Sequence, residues 1–136
     1  METVSLKTIY GALASTQFPP CELVVGIAEG GVVPATLIAH KLRCDLSIVR
    51  INYRDAANVP QYARPKLLSN ARVPRNVKRI LLVDDVAITG KTLEAAKRLF
   101  GRRKVTTVVL RGQADYVLLP ELASCVKWPW TPKNEQ

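Results

Sequence analysis

Two neighbouring carboxylates are the residues in this sequence that most clearly suggest a functional site. Asp84 and Asp85 follow an apolar run in the stretch LLVDDVAITGKT, residues 81–92. The turn behind them is rich in hydroxyl groups and small residues: Thr89, Gly90, Lys91 and Thr92. Carboxylates only accept hydrogen bonds, so they suit a cation or sugar hydroxyls, whereas a glycine-containing turn with hydroxyl donors suits a phosphate. The stretch therefore predicts a site for a phosphorylated sugar.

Two other interpretations of this stretch explain less of it. TGKT matches the end of the nucleotide-binding P-loop pattern, GxxxxGK[ST], but the first glycine of that pattern would fall on Asp85. A P-loop also cradles phosphate in a turn without negative charge. An acidic turn that merely caps a helix would need one carboxylate, not two followed by Thr-Gly-Lys-Thr.

A second turn of similar character lies at residues 26–34, GIAEGGVVP. It follows a short apolar run, and Pro34 suits the first turn of a helix. In open parallel sheets, ligands bind beyond the carboxyl ends of the strands, where loops lead into helix N-termini that attract anions. Both turns are therefore predicted to lie at that edge of a sheet.

The elements that must position these turns are indicated by the spacing of apolar residues. Helical spacing predicts helices at residues 3–14, 32–42 and 91–100, the last ending at Gly101. Apolar, β-branched runs predict strands at residues 23–28, 45–53, 78–86 and 105–112, with a weaker candidate at 115–122. Alternating strands and helices of this kind predict an α/β fold with a mostly parallel sheet flanked by helices.

Length and composition limit the class of protein. A chain of 136 residues, 48% of them hydrophobic, is expected to form one domain over residues 1–136. No secretory signal or membrane-spanning apolar run is visible, so we expect a cytoplasmic protein without a membrane partner. The net charge of +9 suits an anionic partner, either nucleic acid or a polyphosphate metabolite, or it serves only solubility, and composition does not choose among these.

The cysteines and the single histidine predict no metal site. Cys21, Cys44 and Cys125 are far apart and lack CxxC spacing, so neither a disulfide framework nor a zinc site is expected. We expect all three to be small buried hydrophobic residues. His40 has no Cys or His at ligand spacing and is expected to be an ordinary helix residue.

LLVDDVAITGKT resembles the 5-phosphoribosyl-1-pyrophosphate (PRPP) motif of the type I phosphoribosyltransferases, in which apolar residues lead into two acids and a Thr-Gly-x-Thr loop. GIAEGG resembles the pyrophosphate loop of that family. WPW, residues 128–130, is similar to the closing segment of small bacterial and archaeal purine enzymes. The resemblance spans nearly the whole chain and implies the type I phosphoribosyltransferase fold with a short C-terminal hood, in a protein that forms homodimers.

The resemblance also implies roles for individual residues. Asp84 and Asp85 would be the catalytic and metal-binding acids, contacting the ribose hydroxyls with help from Mg²⁺ that the substrate also holds. Segment 53–66 would be the mobile loop that closes over the site, with Tyr53, Arg54 and Arg64 best placed to assist. The substrate-binding positions would be Ala28, Glu29, Gly30 and Gly31 for pyrophosphate, Ala87, Ile88, Thr89, Gly90, Lys91 and Thr92 for the 5-phosphate, and Arg111, Val126 and Trp128 towards the base.

Two departures from the family pattern affect catalysis and pyrophosphate binding. Ile88 stands where purine enzymes acting on 6-oxo bases usually carry an acid, and isoleucine can neither accept nor attract a proton. Glu29 stands where the pyrophosphate loop often has a basic side chain, and its carboxylate would repel pyrophosphate unless magnesium lies between them.

Further departures concern recognition of the base. Cys125 aligns with the aromatic residue that stacks on the base in the nearest purine enzymes. Trp128 or Trp130 could replace that residue, although a tryptophan in a proline-bracketed tail more often covers the core. Arg111 or Gln113 takes the place of the lysine expected to recognise an exocyclic oxygen of the base. The ribose-phosphate end keeps the complete pattern.

The predicted function is magnesium-dependent transfer of the phosphoribosyl group of PRPP to a nitrogenous base, with a purine as the leading acceptor and release of pyrophosphate. One alternative is a regulatory protein on the same fold that senses a nucleotide or binds nucleic acid. Its contacts would come from two basic clusters: Arg72, Arg75, Lys78 and Arg79, and Arg102, Arg103 and Lys104. Another alternative is a homologue that has lost activity, for which Ile88 is the best argument.

Overall fold

The fold is built on a central sheet with helices on both faces. In the computed structural model, which describes residues 2–52, 66–69, 72–123 and 125–132, the first half of the chain forms β1 (Glu2–Thr3), α1 (Leu6–Ala14), β2 (Leu23–Ala28), α2 (Val32–Leu42), β3 (Asp45–Asn52) and β4 (Lys66–Ser69). The second half forms β5 (Arg79–Ala87), α3 (Lys91–Lys97), a 3₁₀ turn (Arg98–Phe100), β6 (Lys104–Gly112), β7 (Tyr116–Val117) and β8 (Val126–Lys127).

The central sheet has the strand order β4-β3-β2-β5-β6-β7. All neighbouring strands are parallel except β3 and β4, which are antiparallel at one edge. The predicted α/β class with a mostly parallel sheet is therefore confirmed. From β2 the chain moves through α2 to β3 on one side, while β5 pairs with the other side of β2. The sheet thus has a topological switch point between β2 and β5, where ligands bind in open α/β sheets.

Each face of the sheet carries its own hydrophobic core. Val24, Leu81 and Val83 face a cluster that contains the buried side chains of α1 and α2. The alternate positions of the same strands, including Val25 and Leu82, face a second cluster formed with α3 and the turn after it. Because both faces are covered, the strands are continuous apolar runs without polar alternation.

The helices are short and have identifiable ends. Ser5 caps α1 by accepting a hydrogen bond from the Thr8 N–H at 3.1 Å. The ammonium group of Lys41 donates to the carbonyl oxygens of Leu13 and Thr16 at 2.7 and 2.5 Å, which ties the C-terminal end of α1 to α2. None of the helices in the described ranges has the length and apolar character needed to cross a bilayer.

Three strands were not predicted, and one helix is shorter than predicted. Strand β4 and the pair formed by β1 and β8 have four residues or fewer each, so their existence depends on pairing with distant segments. The helix predicted at residues 91–100 is α-helical only to Lys97 and ends in the 3₁₀ turn before Gly101. The weaker strand candidate at residues 115–122 is the two-residue strand β7.

The pairing of β1 with β8 connects the two ends of the described chain. Glu2 lies opposite Val126, and Thr3 lies opposite Lys127. The Val4 N–H extends this ladder by donating to the Lys127 carbonyl at 3.1 Å. The pairing holds the C-terminal hood, here residues 125–132, beside the carboxyl ends of the central strands.

Candidate active site

A cleft of about 680 Å³ lies at the carboxyl ends of β2 and β5, at the switch point of the sheet. Its volume is within the range of small-molecule sites. It brings together most of the residues predicted for the site: Ala28, Glu29, Gly30, Asp84, Asp85, Ala87, Ile88, Thr89, Gly90, Thr92, Arg111 and Val126. The two turns predicted from the sequence therefore face the same cleft.

The acid pair lies where β5 reaches the cleft. Asp84 is 9% exposed, and its Oδ1 accepts a hydrogen bond from the Asp85 N–H at 2.8 Å. The Oδ1 of Asp85 accepts from the Val86 N–H, also at 2.8 Å. Burial and the adjacent Asp85 charge raise the pKa of Asp84 well above its usual range, and burial also raises the pKa of Asp85. The fold thus holds two acids whose charged forms are disfavoured until a cation or hydroxyl donors reach them.

The turn between β5 and α3 lines the cleft with a glycine and two threonines. Gly90 has φ +79°, a left-handed conformation that favours glycine, and as the N-cap residue of α3 it has no side chain to offer the first N–H groups of the helix. The Thr89 hydroxyl stays local and accepts a hydrogen bond from the Lys91 N–H at 3.3 Å. Thr89 and Thr92 both line the cleft. Hydroxyls and the backbone N–H groups at the start of a helix are donors that suit an anionic oxygen.

The loop after β2 forms the opposite wall. Its peptide bond between Ala28 and Glu29 is cis. A Cβ atom at Gly30 would overlap the Asp85 carboxylate, so only glycine lets this loop approach the acid pair so closely. Gly31 lies below the surface of the cleft, where an added Cβ would meet the carbonyl oxygens of Val83 and Ile27.

Glu29 forms an ion pair that sequence reasoning did not find. Its Oε1 lies 3.0 Å from Nη1 of Arg50, and the two side chains are 83% and 52% exposed. Arg50 pairs with Ala28 in the register of β2 and β3, which places it directly beside the loop. The partner of an isolated loop carboxylate depends on strand order, and no local pattern reveals strand order.

The end of the cleft beside the hood combines apolar and cationic groups. Ile88 is 55% exposed at the rim, and Val126 and Cys125 line the wall formed by the hood. Arg111 also lines the cleft, and its Nη2 donates to the Ala123 carbonyl at 3.3 Å. The expectation that all three cysteines are buried is wrong, because Cys125 is exposed and Cys21 and Cys44 are only half-buried.

Trp128 and Lys91 do not line the cleft, although both were predicted to bind substrate. Trp128 is 7% exposed and belongs to the core cluster that also contains Val4 and Ile9. Its indole stacks on Trp130 with ring centroids 5.6 Å apart, so the hood aromatics cover the core. The loop residues Tyr53, Arg54 and Arg64 lie outside the described residues.

The basic clusters lie at the amino-terminal edge of the sheet, opposite the cleft. Two of their residues stabilise the fold through side-chain contacts. The Arg79 guanidinium forms an ion pair with the Glu22 carboxylate at 2.6 Å, and Arg103 Nε donates to the Val77 carbonyl at 2.8 Å. The other members are exposed: Arg72, Arg75, Lys78, Arg102 and Lys104.

Four cleft residues were not predicted from the sequence: Ile27, Ile51, Val86 and Leu93. All are apolar residues at or near the ends of strands and at the start of α3. Only their position in the chain could have identified them, because residues at the end of a central parallel strand lie near the switch point.

Comparison with known proteins agrees with this geometry. The chain is 33% identical over 87 residues to the xanthine-guanine phosphoribosyltransferase of Cereibacter sphaeroides, an alignment that covers 62% of this chain and 51% of that protein. The matched part thus spans about half of the length of that curated relative.

Solved structures resemble the fold over almost its whole length. The purine phosphoribosyltransferase of Pyrococcus horikoshii superposes with a TM-score of 0.69 at 23% identity, covering 97% of this chain and 96% of that chain. The xanthine-guanine-hypoxanthine phosphoribosyltransferase of Helicobacter pylori superposes with a TM-score of 0.79 at 17% identity, covering 96% and 93%. The family model of the phosphoribosyl transferase domain matches residues 14–125, which include the acid pair and both turns. The chain therefore belongs to the phosphoribosyl transferase domain family.

Proposed function

We propose that this protein transfers the phosphoribosyl group of PRPP to a nitrogenous base, with a purine as the leading acceptor, and releases pyrophosphate. The observation that carries this proposal is the meeting of the acid pair and the turn that follows it with the loop after β2 in one cleft. Together they offer donors for a phosphate, acceptors for sugar hydroxyls and a further loop for the leaving group.

The residues of the chain act mainly by positioning and charge. Thr89, Thr92 and the backbone N–H groups around Gly90 bind the 5-phosphate and fix one end of the ribose. Asp84 and Asp85 accept hydrogen bonds from the ribose hydroxyls at the other end. When the bond to pyrophosphate breaks, positive charge develops on the sugar ring, and the two nearby carboxylates stabilise it.

Magnesium fits the donor set of this site. Asp84 and Asp85 supply the hard oxygen ligands that Mg²⁺ prefers, and a cation would relieve the cost of their buried charge. In the described ranges no group of three or more His, Cys, Asp and Glu side chains could hold a metal. Such a site would leave most coordination positions to water and substrate oxygens, as is usual for Mg²⁺. Bound Mg²⁺ would supply neutralisation of the pyrophosphate charge.

Arg50 would supply the positive side chain that the loop after β2 lacks. Its exposed ion pair with Glu29 contributes little to stability, so a doubly charged phosphate can replace the carboxylate as its partner. Glu29 then keeps the guanidinium beside the loop when pyrophosphate is absent. This arrangement accounts for a carboxylate at a position where it would otherwise repel the leaving group.

The base would lie between Ile88 and the hood. Arg111 can donate to an exocyclic oxygen of the base or stack its guanidinium plane on the ring. Ile88 and Val126 offer apolar contact but cannot take a proton. We therefore propose that transfer proceeds without a protein acid at the Ile88 position.

Calorimetric titration of Mg²⁺ and PRPP tests the proposal, followed in the same cell by purine and pyrimidine bases and their nucleotides. We expect PRPP to bind and one class of base to produce turnover heat and pyrophosphate. The double variant Asp84→Asn, Asp85→Asn should lose both, whereas Glu94→Gln, which removes an exposed acid on α3, should retain them. Failure of the unaltered protein to bind PRPP would refute the proposal.

A second candidate function is a regulator on the same fold that senses a nucleotide and binds nucleic acid. The observation that favours it is the group of five exposed cations at the edge opposite the cleft. Binding of RNA or DNA that weakens steeply with rising salt, without pyrophosphate release from PRPP, would select this function.

The oligomeric state and the cellular location are also matters of proposal. We propose a homodimer, supported by the exposed Leu6 and Tyr10 on the outer face of α1, and a cytoplasmic location, where phosphorylated substrates are retained. Light scattering of the purified protein at several concentrations tests the dimer, and a monomer at all of them would exclude it.

A further inference from the structure

Two cysteines that are distant in sequence meet at the edge of the sheet opposite the cleft. Cys21 precedes β2 and Cys44 precedes β3, and these strands are parallel neighbours. Their Sγ atoms are 3.6 Å apart, and Cys44 Sγ also donates to the Cys21 carbonyl at 3.1 Å. Both side chains are half-buried. From this geometry we propose that Cys21 and Cys44 are a site of oxidation that forms an intramolecular disulfide.

The backbone geometry accommodates this bond. The register pairs Leu23 with Asp45, so Cys44 lies level with Glu22 and one residue away from Cys21. Both residues lie just before their strands, and their side chains already face each other, with the Sγ atoms 3.6 Å apart. Neighbouring strands lie about 4.8 Å apart, so residues that directly precede them can have the Cα separation of about 4.4–6.8 Å that natural disulfides span. The sulfur atoms need to approach by only about 1.5 Å, a movement that side-chain rotation can supply.

The chemistry requires an external oxidant, and a small-molecule disulfide such as oxidised glutathione is sufficient. One cysteine thiolate attacks the glutathione disulfide, forming a mixed disulfide and releasing one glutathione thiol. The second cysteine then attacks the protein sulfur, closes the Cys21–Cys44 bond and releases the second glutathione thiol. Two protein thiols are oxidised and one glutathione disulfide is reduced, so electrons and protons balance.

The surroundings of Cys21 disfavour its thiolate form. Burial, with a smaller contribution from the neighbouring Cys44, raises the pKa of Cys21 to about 12. The thiolate is the attacking form, so little of Cys21 is reactive near pH 7. A pH above neutral therefore favours attack by Cys21.

Closing the bond would enclose β2, the loop after it and α2 within one covalent ring. A ring of this length restricts the unfolded chain and stabilises the fold. We expect oxidation to raise Tm by roughly 10 °C, since the loop between the cysteines is about two dozen residues long. The cleft lies at the other end of the strands, so the bond would act on stability without covering the site.

Peptide mapping tests the proposal directly. Trypsin cleaves after Lys41 and Arg43, so Cys21 and Cys44 fall on separate peptides, residues 8–41 and 44–50. After the folded protein is incubated with oxidised glutathione at about pH 8.5, we expect these two peptides to be linked, with the loss of two hydrogens. Dithiothreitol should separate them and reverse the rise in Tm.

Variants supply the controls. Cys44→Ser should abolish both the linked peptide and the response of Tm to the oxidant, whereas Cys125→Ser should retain both. Oxidation in denaturant should give little of the link, because the fold brings the two sulfur atoms together. Recovery of Cys21 and Cys44 as free thiols or as separate glutathione adducts from oxidised, folded protein would overturn the proposal.

Discussion

Replacement of Trp128 by alanine should destabilise the protein strongly while leaving the cleft able to bind PRPP. The indole is 7% exposed and packs in the same core cluster as Val4 and Ile9. An aromatic side chain of this size buries about 150–250 Å², which at about 25 cal/mol per Å² corresponds to roughly 4–6 kcal/mol. Measured losses for such truncations are about 3–5 kcal/mol, so we expect a loss of about 4 kcal/mol and a fall in Tm of roughly 10–15 °C.

Urea unfolding followed by circular dichroism measures the loss, and Trp130→Ala is the matched control. Trp130 stacks on Trp128 but is only half-buried, so its truncation should cost about 1–2 kcal/mol. Binding of PRPP and of a purine base is then measured at 10 °C, where the Trp128 variant should still be folded. If Trp128→Ala unfolds within about 1 kcal/mol of the parent but no longer binds a base, the indole contacts substrate and our assignment of it to the core is wrong.

Three further substitutions test the chemistry of the cleft. Asp84→Asn should stabilise metal-free protein by about 1–3 kcal/mol at neutral pH, because it removes a buried charge. The raised pKa of Asp84 in the folded protein lowers stability only at pH values above the unfolded pKa of about 3.9. The gain in Tm of the variant over the parent, measured in EDTA, should therefore shrink towards pH 3. A gain independent of pH would show that the buried charge is not its cause. Arg50→Ala should weaken pyrophosphate binding about tenfold and leave ribose 5-phosphate binding unchanged in calorimetry, whereas Lys97→Ala should change neither; equal losses for both ligands would exclude a role specific to pyrophosphate. Ile88→Asp should increase kcat for a 6-oxopurine about 10²-fold or more if proton transfer is the missing element, and an unchanged kcat would place the limitation elsewhere, with Glu29 or Cys125.

The sequence predicted those features whose residues are consecutive in the chain, and it missed contacts between distant segments. Asp84, Asp85 and the turn after them are consecutive, and the apolar run before them predicts a central strand, so their place at the carboxyl edge followed directly. The contact between Cys21 and Cys44 depends on which strands are neighbours and in what register, and local spacing carries no such information. Burial of Trp128 likewise depends on the amino-terminal segment that packs with it.

The ion pair of Glu29 with Arg50 shows the same limit at the site itself. Glu29 alone indicates a loop that repels pyrophosphate, whereas the folded chain places a guanidinium 3.0 Å from its carboxylate. A family motif therefore locates a site, but the charge that a ligand meets there also includes side chains from neighbouring strands.

The short pairing of β1 with β8 constrains the order in which the protein is assembled during synthesis. Residues 2–3 must wait for residues 126–127, so this part of the fold forms only after nearly all of the described chain has left the ribosome. Strands β2, β3 and β5 are complete much earlier and can associate first. Because Val126 lines the cleft, the end of the cleft beside the hood is the last part to form. A nascent chain would thus complete both turns of the cleft before the wall that we propose to hold the base.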